Sequence, residues 1–403
     1  MRKRCRARKH ALTPRLSIRC NVLPSVLQAD CADFHTSGDK KQLAAVLDTF
    51  PLHDATQWLT SPERSGGLGL QLLLEQETGK LFPASNSARE VRDRLLNACE
   101  REGVVVRVRA SVESMHRDGS DWVCTLADGR AFACEAAVIA AGGLSYPAVG
   151  TDGTGYRIAR TLGHDLKQAE PYPALVPLAG VHPGGLNSLA GLSLRVGSLK
   201  ASAGAATAAG AFSPAVETSG GFLFSHKGYT GPCVLNASHA ITNSTQQRAN
   251  MEVNWSGESA HEWNARLSVG GRSSVAAALS RSLPQRLAVA LCADAKVDPA
   301  TLLMSLTRRD RQSLVALLTC YQLPVTGSLG WRLAEVTGGG VLLHELEIPT
   351  LQSRVATGVY IVGEMVDVFG RIGGFNFTWA WVSGIELPSR ERIHHPPPNT
   401  CAV

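Results

Sequence analysis

Gly-Val-Tyr-Ile-Val-Gly-Glu-Met-Val-Asp-Val-Phe-Gly-Arg-Ile-Gly-Gly-Phe-Asn-Phe-Thr-Trp-Ala-Trp-Val-Ser-Gly, residues 358–384, is the stretch whose reading decides the fold. Residues 359–362 are a short β-branched and aromatic run bounded by glycines, which predicts a strand buried on both faces. Gly363 follows where a backbone can approach a ligand closely, and Glu364 where a carboxylate can hold a hydroxyl. Gly373 and Gly374 then permit a tight turn into a helix expected to start near Asn376. A helix start offers free N–H groups and partial positive charge. The stretch reads either as a cradle for the anionic edge of a redox ring or as an ordinary strand-turn-helix crossover.

Working outward, residues 136–141 form a second apolar strand that ends at Gly142-Gly143. In doubly wound sheets ligands lie beyond the carboxyl ends of such strands. The pair lines a cleft on that reading, or merely closes a turn. Before it, alternation over residues 104–112 and the Asp128-Gly129 turn predict a three-stranded meander. Helical spacing is seen over residues 42–58 and 89–102. The Gly-rich run 150–155 opens a helix that stops at Gly163; Ile158 stands where a phosphate loop needs a small residue.

From about residue 178 the character changes. Strand-like pieces (192–196, 222–224, 251–255) surround an Ala/Gly run, 201–211, that reads as a loop. Helical patterns follow at 274–282, 284–292, 299–306 and 310–318. Residues 337–341, Thr-Gly-Gly-Gly-Val, return the chain to its first domain.

With 403 residues the chain is long enough for two or three domains. The net charge of +6 is modest, and much of it lies before the first acid, Asp30. The Arg-rich start reads as a solvated end, a transit peptide or a nucleic-acid tail. Ten cysteines without CxxC or Cys/His clustering point to packed thiols in a reducing compartment and to no metal site. No apolar run approaches membrane-spanning length. His226, His239 and His344 have no partner at a spacing that marks a catalytic base, no catalytic residue is assigned, and Tyr146 is the one guess at an acid.

Several motifs, in order, resemble one family: the FAD-dependent oxidoreductases of the aminoacetone-oxidase-like and bile-acid-enone-reductase-like type. They are Arg19-Cys20-Asn21-Val22; residues 33–38 (Asp-Phe-His-Thr-Ser-Gly); 79–83 (Gly-Lys-Leu-Phe-Pro); 140–147 around Gly142-Gly143; 153–156; 173–177; 223–232; 337–341; and 363–376. The resemblance implies an α/β chain with a glutathione-reductase-like FAD-binding domain, incomplete at both ends, an inserted β-rich domain and a small helical subdomain. The expected division is 1–18 a disordered basic start, 19–176 and 326–385 the FAD-binding domain, 177–325 the insert, and 386–403 a disordered tail. It further implies that Glu364 holds the ribityl chain, that Gly363, Gly373, Gly374, Phe375 and Asn376 face the flavin, that Gly142 and Gly143 line the FAD cleft, and that Arg19, Cys20 and Asn21 lie near the ring. Hydride chemistry on a small-molecule substrate would belong to the flavin, with NAD(P)H as a candidate partner. No nucleic acid, no membrane and a cytoplasmic location are expected. Residues 1–18 lack the Gly-rich turn and following acid that family members use for the nucleotide half. The rival expectation is therefore a non-catalytic remnant that does not retain FAD.

Overall fold

A computed structural model describes residues 19–203, 216–243, 249–385 and 401–402. The chain is a mixed α/β protein that divides into two compact units. The first is residues 1–172 with 336–403; the second is residues 173–335. The sequence reading sets the corresponding boundaries at 176/177 and 325/326.

The first unit is organised around two short parallel strands. Val359–Ile361 pairs with Ala137–Ile139, with Val359 opposite Ala137 and Ile361 opposite Ile139. Ala137, Ile139, Val359 and Ile361 are buried. Each strand is three residues long and ends close to its glycine. Both carboxyl ends therefore open on the same side. Strands Gln352–Ser353 and Leu346–Glu347 extend this sheet antiparallel. On its other edge Cys401–Ala402 lies parallel to Ala137–Ile139. Those two residues belong to the tail expected to be disordered; the rest of it, like residues 1–18, falls outside the described residues.

Helix Phe375–Ile385 closes the unit. Trp379 and Val382 are buried in its core, and Trp381 Nε1 donates to Val22 O at 3.1 Å. The meander is present as Val112–Asp118, Asp121–Leu126 and Ala131–Cys134. Its first strand begins where the expected one, 104–112, was to end. Val104, Val105 and Val108 are exposed, and Arg109 takes a left-handed φ of 56°, which breaks an extended run. Alternation was present without a sheet face to bury. The single helix expected over 42–58 is two, Lys40–Leu47 and Leu52–Thr60, separated at Pro51.

The second unit is a seven-stranded antiparallel sheet backed by helices. Strands Ser193–Ala203 and Val216–Ser225 form its long hairpin. The first of these takes in residues 201–203 of the expected loop; residues 204–211 lie outside the described residues. Phe222, Phe224, Trp255 and Trp263 are fully buried, with Phe224 stacked on Trp255 at 5.9 Å. Burying such side chains contributes about 2–3 kcal/mol each. Helices Val275–Leu279, Gln285–Asp294 and Arg308–Thr319 cover the sheet. The helix expected over 299–306 reduces to one tight turn, Leu303–Ser305, because Leu302 bridges to Ser274 in an extended conformation. Among the described residues no helix is long and apolar enough to cross a membrane.

Candidate functional site

At the ends of the two parallel strands a polar network joins three distant segments of the first unit. Thr337 Oγ1 accepts hydrogen bonds from the backbone N–H groups of Leu144 (2.7 Å) and Ser145 (3.2 Å). Thr337 N and Ser145 Oγ both donate to Glu364 Oε1, at 2.7 and 2.6 Å. Tyr156 OH donates to the backbone carbonyl of Glu364 at 3.1 Å. One carboxylate oxygen is thus fixed by two donors. Among the described residues the other, Oε2, has no hydrogen-bond partner, and Glu364 is only partly buried. A carboxylate clamped on one oxygen presents the second as an oriented acceptor.

Gly143 has to be glycine here. A Cβ on it would collide with Thr337 Oγ1 and Glu364 Oε1. Gly363 differs: its φ is +66° and a Cβ there would meet nothing within 4 Å. Its own backbone is anchored, since its N–H donates to Ser383 Oγ at 3.0 Å and its carbonyl accepts from Trp379 Nε1 at 2.8 Å. Open space beside a fixed backbone and an oriented carboxylate oxygen suit the polyhydroxyl chain and ring edge of a flavin nucleotide.

The second expected cluster stands at the start of helix Phe375–Ile385. The Asn376 side chain closes the turn on Gly370, Oδ1 accepting from its N–H (2.8 Å) and Nδ2 donating to its carbonyl (2.9 Å). Phe375 packs inward, edge-on to Phe34 at 5.9 Å. Gly374 permits close approach of the Leu23 backbone, which a Cβ would strike. The side chains of Phe375 and Asn376 are thereby committed to the fold. What this turn can offer a ligand is its backbone.

Arg19, Cys20 and Asn21 lead into strand Leu23–Pro24, the neighbour of Gly374. Arg19 spans Glu75 (3.1 Å) and Asn86 (3.1 Å) and lies over the Phe82 ring at 4.0 Å. Cys20 packs against the small core of Val22, Leu23 and Leu59, and burial pushes its thiol up to about 11. Tyr146, the guessed acid, is exposed, with a left-handed φ of 51°.

Sequence reasoning missed a third group. The loop after strand Phe34–His35, which pairs with Phe369–Gly370, brings Ser37 onto buried Asp367. Ser37 donates to Asp367 Oδ2 through both its hydroxyl and its N–H, the latter at 2.8 Å. Burial raises the Asp367 carboxyl, and the hydroxyl and N–H donors of Ser37 oppose the shift. Burial, with the charges of Glu364 and Asp367 behind it, raises the phenol of Tyr156; burial and Asp367 do the same for Tyr172. His35 stacks on Phe369 at 5.0 Å, and burial, aided by Lys40, lowers its imidazole to about 4, so it is neutral at pH 7. The 33–38 motif carried the signal; nothing in the sequence gave Asp367 as its partner.

His164 contacts Glu345 Oε2 through Nδ1 and Ser353 Oγ through Nε2, both at 2.8 Å. This Ser-His-Glu line is a poor nucleophile arrangement. Ser353 is buried, and its oxygen also accepts from the N–H groups of Ala356 (2.9 Å) and Val355 (3.2 Å). No group of metal-ligating side chains occurs among the described residues.

Comparison with known proteins finds relatives of the chain. A ribosomal RNA dihydrouridine synthase of Escherichia coli is 33% identical over 318 residues, 77% of this chain and 73% of that protein. A ribosomal RNA dihydrouridine synthase of Haemophilus influenzae is 28% identical over 313 residues, 77% of this chain and 74% of its own. A 3-dehydro-bile acid delta(4,6)-reductase of Clostridium scindens is 26% identical over 375 residues, 91% of this chain and 86% of that protein. The HI0933-like protein Rossmann domain matches residues 17–388, and the chain belongs to that family of FAD-dependent-oxidoreductase-like proteins.

Proposed function

We propose that this chain is a flavin-dependent reductase, built on a glutathione-reductase-like FAD-binding domain, that saturates a carbon–carbon double bond conjugated to a carbonyl. Bound FAD would supply two-electron hydride chemistry, with a nicotinamide as the source of the reducing equivalents and water as the source of the proton.

The chain's own residues bind and orient. The free oxygen of Glu364 would accept a hydroxyl of the cofactor, and Gly363 would leave room beside it. Ser145 and Thr337 keep the carboxylate in that pose. The backbone at Gly373 and Gly374 and the first turn of helix Phe375–Ile385 would hold the electron-rich edge of the ring, since a helix start favours negative charge. Gly142 and Gly143 would border the cofactor through their backbone. Arg19, Cys20 and Asn21 border it through strand Leu23–Pro24.

The observation that carries this reading is the Glu364 clamp, one oxygen held by two donors and the other without a hydrogen-bond partner among the described residues, beside a Gly363 with open space where a side chain would stand. The type of reaction is suggested by the relatives. Dihydrouridine is uridine with a carbonyl-conjugated ring double bond saturated, and a delta(4,6)-reductase likewise acts on ring double bonds. The relative with the higher identity favours a uracil ring in ribosomal RNA over a free small molecule as substrate.

The test is optical. The purified chain should be yellow, show flavin absorption bands and bleach anaerobically with NADH or NADPH. Glu364→Ala should weaken FAD affinity about tenfold or more, the value of a hydrogen bond to a charged acceptor. A well-folded chain that is colourless and indifferent to added FAD would contradict the proposal and favour its rival, a family member that does not retain the cofactor.

A further inference from the structure

The two units handle charge differently. Residues 173–335 contain 13 Lys and Arg against 8 Asp and Glu, whereas residues 1–172 and 336–403 together contain 27 against 26. Of the 12 described Lys and Arg in the second unit, only Arg266 makes an ion pair, with Glu258. In the first unit seven of 18 do, among them Arg19, Arg94 and Arg371. The second unit is the basic one, and among its described residues most of that charge is unneutralised.

Part of the charge is concentrated at one edge. Helix Ala260–Ser268 ends in a turn through Gly270 and Gly271, which have φ of 71° and 123°. The chain then runs beside residues 302–304: Met304 N donates to Gly271 O at 3.3 Å and Leu303 N to Ser273 O at 3.0 Å. Exposed Arg272 stands in this short ladder. A few residues on, Arg308 and Arg309 open helix Arg308–Thr319, both exposed. Arg311 Nε donates to Asn264 Oδ1 at 2.9 Å and ties that helix to Ala260–Ser268. Beside the cations, Val269 is 83% and Met304 66% exposed.

Helix electrostatics do not favour this composition. A helix start carries partial positive charge and favours acids, yet two arginines occupy the first turn here, with Asp310 the one acid among them. Arg272, Arg308 and Arg309 have no ion-pair partner among the described residues. Their charge is therefore free to meet a polyanion.

We infer that this edge, Arg272, Arg308 and Arg309 with Val269 and Met304, is a docking surface for RNA. The arginines contact phosphates, and the exposed apolar side chains give unstacked bases a surface to lie on. The choice of RNA over another polyanion rests on the proposed function; the surface itself rests on charge and placement.

The experiment is a fluorescence-anisotropy titration of the full chain with a labelled RNA hairpin bearing a uridine-rich loop, repeated over a salt series. The wild-type chain should bind with a steep negative dependence on salt. The triple variant Arg272→Gln/Arg308→Gln/Arg309→Gln should lose at least about tenfold in affinity, with a log–log salt slope shallower by about two to three. Its thermal melt and flavin absorption should match the wild type. Arg130→Gln, which removes an exposed cation from the first unit, should change little. Unchanged affinity and slope in the triple variant would overturn the inference, as would a wild-type chain that ignores RNA or binds polyglutamate equally well. The two readings fail separately. A colourless chain that binds RNA through these arginines defeats the reductase reading alone; a yellow chain that ignores RNA defeats this one alone.

Discussion

The first unit keeps two carboxylates in its interior, whereas the second, among its described residues, keeps none. Both fully buried carboxylates among the described residues, Asp33 and Asp367, lie in the first unit. Asp33 is held by Arg371 Nε (2.6 Å) and Gln28 N (2.7 Å); Asp367 is held by Ser37. Glu364 joins them at the strand ends. In the second unit the interior is aromatic and aliphatic, built on Phe222, Phe224, Trp255 and Trp263. Buried charge is expensive and is kept where geometry has to be fixed. The difference teaches that the first unit fixes polar geometry in its interior, whereas the interior of the second is given over to apolar packing.

The comparison predicts a hierarchy of effects. Trp263→Ala should be the most damaging, costing about 3–5 kcal/mol through loss of a fully buried ring. Chemical denaturation should show the second unit melting earlier, with flavin absorption in native buffer retained. Simultaneous loss of both would break the division of labour. Gly143→Ala should follow. The added methyl has to displace Thr337 or Glu364, which costs about 3 kcal/mol by overpacking, read in the transition of the first unit.

His35 sharpens the comparison by pH. Its imidazole is lowered from 6.5 to about 4 in the folded chain, first by burial and then by Lys40. The unfolded chain therefore binds the extra proton between those values. The associated stability is present above about pH 6.5 and is lost as pH falls toward 4, roughly 2 kcal/mol by pH 5. His35→Phe keeps a ring against Phe369 and removes the titration. Denaturation at pH 7 and pH 5 should show a smaller acid loss in the variant than in the wild type. Equal losses would remove His35 from the account.

Much of this was legible before any coordinates. The Val359–Ile361 and Ala137–Ile139 strands were readable because a strand buried on both faces needs a continuous apolar run, and each was punctuated by glycine. Their meeting could be inferred but not placed, since parallel pairing across more than 200 residues leaves no local signal. The Gly143–Thr337–Glu364 packing was invisible for that reason, although all three residues lay in quoted motifs. Asp367 was hidden within an apolar stretch, its role fixed by a loop 330 residues away. The strand expected over 104–112 failed because alternation says which face is apolar, not whether a partner exists to cover it. The charge contrast was countable throughout. It became informative only when the ion pairs showed which cations were already engaged.

The central claim is that the two strand ends form one seat for a flavin, and a paired titration tests it most directly. FAD is added to flavin-stripped wild-type chain and to Gly143→Ala, and quenching of the free-flavin fluorescence is followed to saturation. The account predicts one FAD per wild-type chain and at least about tenfold weaker binding by a folded variant. Equal affinity in the two chains, or no uptake by folded wild type, would contradict it.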